Sequence, residues 1–156
     1  MTFSRIRLTA EEAQALLAQG RWGVLSTADA NGQPYGVPIN YVYDPQQQLI
    51  YCHCAAAGQK LANIAANSQV SFTVVTEEHI LEEAFVSNYR SVIVQGRAEI
   101  YTDPAQMERP LALLCAALAP STTANQRKDV IARYLAAVRI IAIHIESLTS
   151  KENHDT

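Results

Sequence analysis

Asn31-Gly32 falls between two runs of strand-forming residues, 22–27 and 35–43, and this feature restricts the fold more than any other. An Asn-Gly step supplies the positive backbone angles of a tight reversal, so the two runs pair as an antiparallel hairpin. Asp44-Pro45 and the glutamines after it make a second turn, and residues 49–54 give a third strand. The chain therefore opens as a β-meander. Pro38 stands inside the second strand. Proline brings no amide proton to a ladder, so that strand needs an open edge, a bulge or a ligand beside it.

Helices punctuate the strands. Thr9 and Glu12 have capping-box spacing ahead of a helix over residues 10–19 with Leu16 and Leu17 facing inward, and Gly20 suits a left-handed stop. Residues 58–67 carry Leu61, Ile64 and Ala65 at helical spacing, and residues 69–76 resume as strand. Residues 77–88 are polar and irregular in period and read as a loop before a long strand over 89–101. Asp103-Pro104 matches an N-cap with proline in the first turn, opening a helix to about residue 118 that Pro110 should kink or restart. A second helix over 125–137 and a closing strand over 138–148 come next. The expectation is a mainly β single domain over residues 1–150, a six-stranded antiparallel split or half-open barrel with peripheral α-helices, and a disordered tail at 151–156.

A chain of 156 residues can bury one core without disulfide or metal staples. Lys+Arg 12 against Asp+Glu 15, with no basic cluster, gives no support to a nucleic-acid surface. The opening residues lack the apolar stretch of a signal peptide and no run is long enough to span a bilayer, so a cytoplasmic protein without membrane contact is expected. Three cysteines in a reducing compartment read as free thiols.

Three segments offer chemistry. His53-Cys54-Ala55-Ala56-Ala57-Gly58-Gln59-Lys60 is a strand-to-helix junction of small residues with a cation in the first helical turn. That suits a phosphate, although an ordinary tight junction with a solvated lysine has the same pattern. His53 sits between Cys52 and Cys54, but strand alternation turns it away from both, which argues against a shared metal ion. Spacing leaves His53 open between a structural hydrogen-bonding role and a ligand-contacting one. In residues 89–98 polar side chains interrupt a strand, and Arg97 suits either an anion or a structural ion pair.

In order and spacing, WGVLSTADANGQPYGVPIN at 22–40, LIYCHC at 49–54 leading to Gly58-Gln59-Lys60, and YRSVIVQGRAE at 89–99 resemble the FMN-binding split barrels of the pyridoxamine-phosphate-oxidase-like superfamily, most of all its nitroimidazole-resistance family. The resemblance implies a homodimer with FMN at the subunit interface. It places Val37, Pro38, Ile39 and Asn40 along the flavin ring, His53 beside it, Gly58, Gln59 and Lys60 at the phosphate, and Arg90 and Ser91 approaching from the fifth strand. Val37 stands where the oxidase branch has a phosphate-binding arginine, and Gln59 replaces another basic residue, a departure from pyridoxamine phosphate oxidation.

The function this implies is that of a flavin-dependent oxidoreductase of nitroreductase type acting on a small molecule, with His53 as the catalytic proton donor and no bound metal. The alternatives are a flavin-binding or sensing protein without efficient turnover, and a haem-binding protein using His53, His79 or His144.

Overall fold

The structure is a computed structural model in which residues 5–154 are described. Strand β1 (Arg5–Arg7) leads into helix α1 (Ala10–Gln19), and the capping box forms as expected: the Glu12 amide donates to Thr9 Oγ1 at 3.2 Å, and the Thr9 amide donates to Glu12 Oε2 at 2.7 Å. Gly20 is not left-handed; its φ of −72° is extended. Its lack of a side chain matters for space instead, because a Cβ there would lie 2.0 Å from the Tyr41 hydroxyl oxygen.

Strands β2 (Trp22–Ala28) and β3 (Pro34–Asn40) form the expected hairpin, with Gly32 at φ 83° and the Asp29 carboxylate accepting the Asn31 and Gln33 amides at 2.8 and 2.9 Å. The run expected as one strand over 35–43 is two. It breaks at Tyr41, and β4 (Val42–Asp44) pairs with β5 (Leu49–Ala55) instead of with β2. Helix α2 (Gln59–Ala66), β6 (Gln69–Leu81) and β7 (Val86–Tyr101) come next, then α3 (Pro104–Leu118), α4 (Ala124–Tyr134) and β8 (Val138–Asn153). The sheet order is β3-β2-β6-β7-β8-β5-β4, with β1 added beside β8. Because β3 and β4 are consecutive in the chain yet end the order on opposite sides, Tyr41 is the corner at which the antiparallel sheet curls into a split barrel.

The fold class is the expected one, with eight strands among the described residues instead of six, the additions being β1 and β4. Residues 77–88 are not a loop: β6 and β7 continue as a hairpin arm through a 3-10 turn at Glu82–Ala84. A register shift between Thr76 and His79, with Glu77 at φ 55°, breaks the alternation that would have revealed it. The expected tail also starts late. Lys151 to Asn153 lie between β7 and β1, whose backbones pair with them whatever their polarity, and residues 155–156 fall outside the described region. Helix α3 runs unbroken through the buried Pro110, and α4 ends before the expected limit at residue 137. No helix among the described residues is long and apolar enough to cross a membrane.

Two apolar cores result. Tyr41, Phe72, Val92, Val94, Ile141 and Ile143 fill the barrel with help from α1 and α2. Met107, Leu111 and Leu114 of α3 cover Leu49, Tyr51 and Ile140 on its outside. Arg109 of α3 locks this layer by a forked contact to buried Asp44, Nε to Oδ2 at 2.9 Å and Nη2 to Oδ1 at 3.2 Å. Burial acts to raise the Asp44 carboxyl, but Arg109 and the amides of Gln47 and Gln46 outweigh it and hold the carboxyl below its ordinary value. A depressed carboxyl adds stability that is complete above the unfolded value, about 3.9, and is lost as pH falls through the lower folded one. Asp44→Asn should therefore cost about 2 kcal/mol at neutral pH. In urea titrations across acid pH, the gap to the parent protein should close; a gap independent of pH would contradict this account.

Candidate functional site

Strand β5 sorts its side chains by parity. Ile50, Cys52 and Cys54 enter the barrel core, whereas Leu49, Tyr51 and His53 face outward toward the α3–α4 hairpin. His53 is exposed and borders an apolar cavity of about 280 Å³ with Leu114, Cys115, Leu118, Val130 and Tyr134. Burial pushes the Cys52 thiol up, and it raises Cys54 against the opposing fields of Lys60 and Arg139. Both are core thiols rather than nucleophiles. Among the described residues, no group of three His, Cys, Asp or Glu side chains is placed to hold a metal ion.

The junction after β5 is open. Gly58 caps α2 at φ 151°, a conformation L side chains rarely adopt, and nothing lies within 4 Å of where its Cβ would be. No side chain among the described residues caps the helix, so its first-turn amides have no side-chain acceptor there. Gln59 is committed inward: its amide nitrogen donates to Asn63 Oδ1 at 2.6 Å, and Asn63 donates to Thr27 Oγ1 at 3.0 Å, tying α2 to β2. Lys60 is half-buried and pairs with no carboxylate among the described residues. Its field and that of Arg139 both reach Cys54, so two cations flank the end of β5. Arg139 is a residue that sequence reasoning missed. The signal was cross-strand pairing, which sets Arg139 opposite Cys54 and is invisible before the register of β8 is known.

Strand β3 comes close to β5 at the other margin of the split. Among the described strands it pairs only with β2, so Pro38 has the open edge its missing amide requires. Ile39 is buried in the barrel core and Val37 packs against it, while Pro38 is exposed and the Asn40 side chain donates to the Arg21 carbonyl at 3.0 Å. Val37 to Asn40 thus lie on β3, and His53 and Gly58 to Lys60 lie at the end of β5 and the start of α2, with β3 and β5 close to one another.

Arg90 and Ser91 are elsewhere. Arg90 is engaged by Glu77 at 3.4 Å and Glu152 at 3.2 Å, and Ser91 lines a different groove with Arg7, Leu148 and Lys151. Within one subunit they do not join His53 and Lys60. An exposed apolar strip adjoins them: Trp22, Val24 and Val75 are 61%, 41% and 56% exposed, with Val24 opposite Pro38 and Val75 opposite Ser91. Trp22, the first residue of β2, lies on this surface and not in the core.

Comparison with known proteins bears on this geometry. The family model described as pyridoxamine 5'-phosphate oxidase matches residues 9–152. A 5a,11a-dehydrotetracycline/5a,11a-dehydrooxytetracycline reductase of Streptomyces rimosus is 31% identical over 104 residues, 65% of this chain and 70% of its own. Among solved structures, a candidate 5-nitroimidazole antibiotic resistance protein of Bacteroides thetaiotaomicron superposes with TM-score 0.76 at 17% identity, covering 97% of this chain and 89% of its own. An FAD-binding protein of Mesorhizobium loti gives 0.68 at 24% identity, with 99% and 100% covered. An FAD and heme binding protein of Mycobacterium smegmatis gives 0.75 at 15%, with 97% and 74% covered. The structural likenesses share the split-barrel architecture, and the family match spans β3, β5 and α2 as well as β7 and most of β8. The chain belongs to the pyridoxamine 5'-phosphate oxidase family.

Proposed function

We propose that this protein is a flavin-dependent reductase that holds FMN between two copies of the chain and reduces an electron-poor small aromatic compound, a nitro compound being the type case. The observation that carries the reading is the uncapped N-terminus of α2, with Lys60 unpaired by any described carboxylate, directly after β5, the strand that β3 approaches. Anions are stabilised where helix amides lack acceptors and a cation adds its charge. Lys60, with Arg139 across the strand pair from Cys54, supplies positive charge for a flavin phosphate. Pro38 and Val37 offer an apolar edge to a ring without sacrificing a ladder bond.

The second copy is implied by what one copy leaves apart. Ser91 and its groove cannot reach His53 within the subunit, and the exposed strip of Trp22, Val24 and Val75 beside Ser91 is the surface a partner would cover. Likeness to a reductase and to flavin-binding proteins agrees with a redox role. When bound, a flavin supplies the hydride chemistry. The chain's residues bind its phosphate, border its ring, keep water from one side and present the His53 imidazole as a proton donor.

Denaturing the purified protein and weighing the released chromophore tests the cofactor. FMN supports the proposal, FAD or a deazaflavin corrects it, and haem or no chromophore refutes it. Bleaching of the flavin bands by a nicotinamide reductant, then reoxidation on adding a nitroaromatic, tests turnover; bands that never bleach would indicate a binding protein. Lys60→Ala should weaken FMN binding by about tenfold in fluorescence titration without changing the sedimentation coefficient. Unaltered affinity would remove Lys60 from the phosphate site.

A further inference from the structure

The cavity beside His53 constrains what a substrate must look like. Its walls are almost wholly aliphatic: Leu114 and Leu118 from α3, Val130 from α4 and Val138 at the start of β8, with the Tyr134 ring at the rim. Among the described residues, His53 is the only imidazole and the only charge-capable nitrogen in the lining. Helix α4 buries none of its residues, and Val130 and Tyr134 are 45% and 52% exposed. The corner joining α3 to α4 is nevertheless fixed, since Arg127 donates to the Pro120 and Thr122 carbonyls at 3.1 and 2.9 Å and to Thr122 Oγ1 at 3.0 Å. The helix is held in place by its corner while the face it turns to the cavity is left short of packing partners, the arrangement of a preformed binding wall rather than of a closed core.

Resting on the reading under Proposed function, we infer that this cavity is the substrate pocket and that it selects uncharged aromatic compounds of one or two rings, placing an acceptor group at His53. Apart from His53, these walls offer an ionised group no partner for its charge, so charged compounds bind worse than neutral ones. Size sets the other limit. An apolar cavity of roughly 150 Å³ holds benzene. The volume here, about 280 Å³, therefore takes one ring with a substituent or two fused rings and leaves most of a four-ring skeleton outside. On this inference the chain differs in substrate range from its Streptomyces rimosus relative, whose named substrates are tetracyclines.

Binding to the purified dimer with its chromophore, read by calorimetry or ligand-observed NMR without any reductant, decides the matter. Nitrobenzene should bind. Nitroterephthalate, whose two carboxylates cannot both face His53, should bind about tenfold or more weakly. Tetracycline should not displace nitrobenzene. Val130→Trp, at an exposed site, and Cys115→Phe, from the α3 wall, should each weaken nitrobenzene by about tenfold while leaving flavin content unchanged. Equal affinity for nitrobenzene and nitroterephthalate, displacement by tetracycline, or indifference of binding to Val130→Trp would each overturn the inference; should Cys115→Phe fail to fold, Val130→Trp alone decides. If nitrobenzene binds as stated but no flavin is found or bleached, the proposed reductase fails and the pocket stands. If flavin turnover is normal and binding ignores the wall variants, the pocket fails and the reductase stands.

Discussion

Tyr41→Ala is expected to cost about 4 kcal/mol of folding stability, a large part of the 5–15 kcal/mol that holds an average domain together. Tyr41 is fully buried at the corner between β3 and β4, with its ring edge-on to Phe72 at 5.0 Å between centroids. Its hydroxyl donates to the Leu17 carbonyl at 2.8 Å, satisfying one of the orphan acceptors at the end of α1, and its amide donates to the Arg21 carbonyl at 3.1 Å. One side chain thus joins α1, the barrel core and the point where the sheet closes. Tyr41→Phe keeps the ring and should lose only about 1 kcal/mol. Gly20 completes the test, because a Cβ there would meet the same hydroxyl at 2.0 Å. Gly20→Ala should be damaging in the parent protein and much milder in the Tyr41→Ala background, the coupling expected of touching residues. Urea unfolding measures each of these proteins. A Tyr41→Ala loss below about 1 kcal/mol, or additive effects, would show that the barrel closes by other means.

The parts of this fold legible in the sequence are those set by local chemistry. The Thr9 capping box, the Asp29 to Gly32 reversal, the Asp103-Pro104 helix start and the edge demanded by Pro38 each depend on a few neighbouring residues, and each forms, with Gly32 and not Asn31 carrying the positive angle of the reversal. What escaped depends on distant partners. The break at Tyr41 arises because β4 pairs with β5, which no feature of the continuous apolar run 35–43 records. The β6–β7 arm hides because both its faces meet solvent and its register slips at Glu77. Polar Lys151 to Asn153 resemble a tail in hydropathy, yet strand pairing uses backbone and takes no account of it. At the candidate site, the outward turn of His53 against Cys52 and Cys54 was readable from alternation alone. Arg139 was not, and neither was the bond of Gln59 to Asn63, which in turn donates to Thr27. The resemblance of three ordered segments supplied the family, and periodicity alone did not reach it.

His53→Ala is the second large effect: substrate reduction by the pre-reduced protein should slow by roughly 10²-fold or more, the usual worth of a positioned proton donor. Geometry is the reason. His53 leaves the barrel on the face of β5 that meets the apolar cavity, next to the strand end flanked by Lys60 and Arg139. Among the described residues lining that cavity it alone carries an imidazole, a group able to donate a proton. Because the ring is exposed and opposite Ile140 across the strand pair, truncation opens no core cavity and should leave the melting temperature within a few degrees of the parent. On the proposed assignment of the phosphate to Lys60 and the start of α2, the cofactor should stay bound when His53 is truncated. His53→Gln separates proton transfer from positioning: an amide can donate a hydrogen bond but cannot pass on a proton, so this variant should recover substrate affinity but not rate. Stopped-flow oxidation of the reduced protein over a range of nitrobenzene concentrations reads both quantities. If His53→Ala and His53→Gln both turn over at the parental rate, the proton comes from solvent or from another residue, and His53 is merely part of the wall.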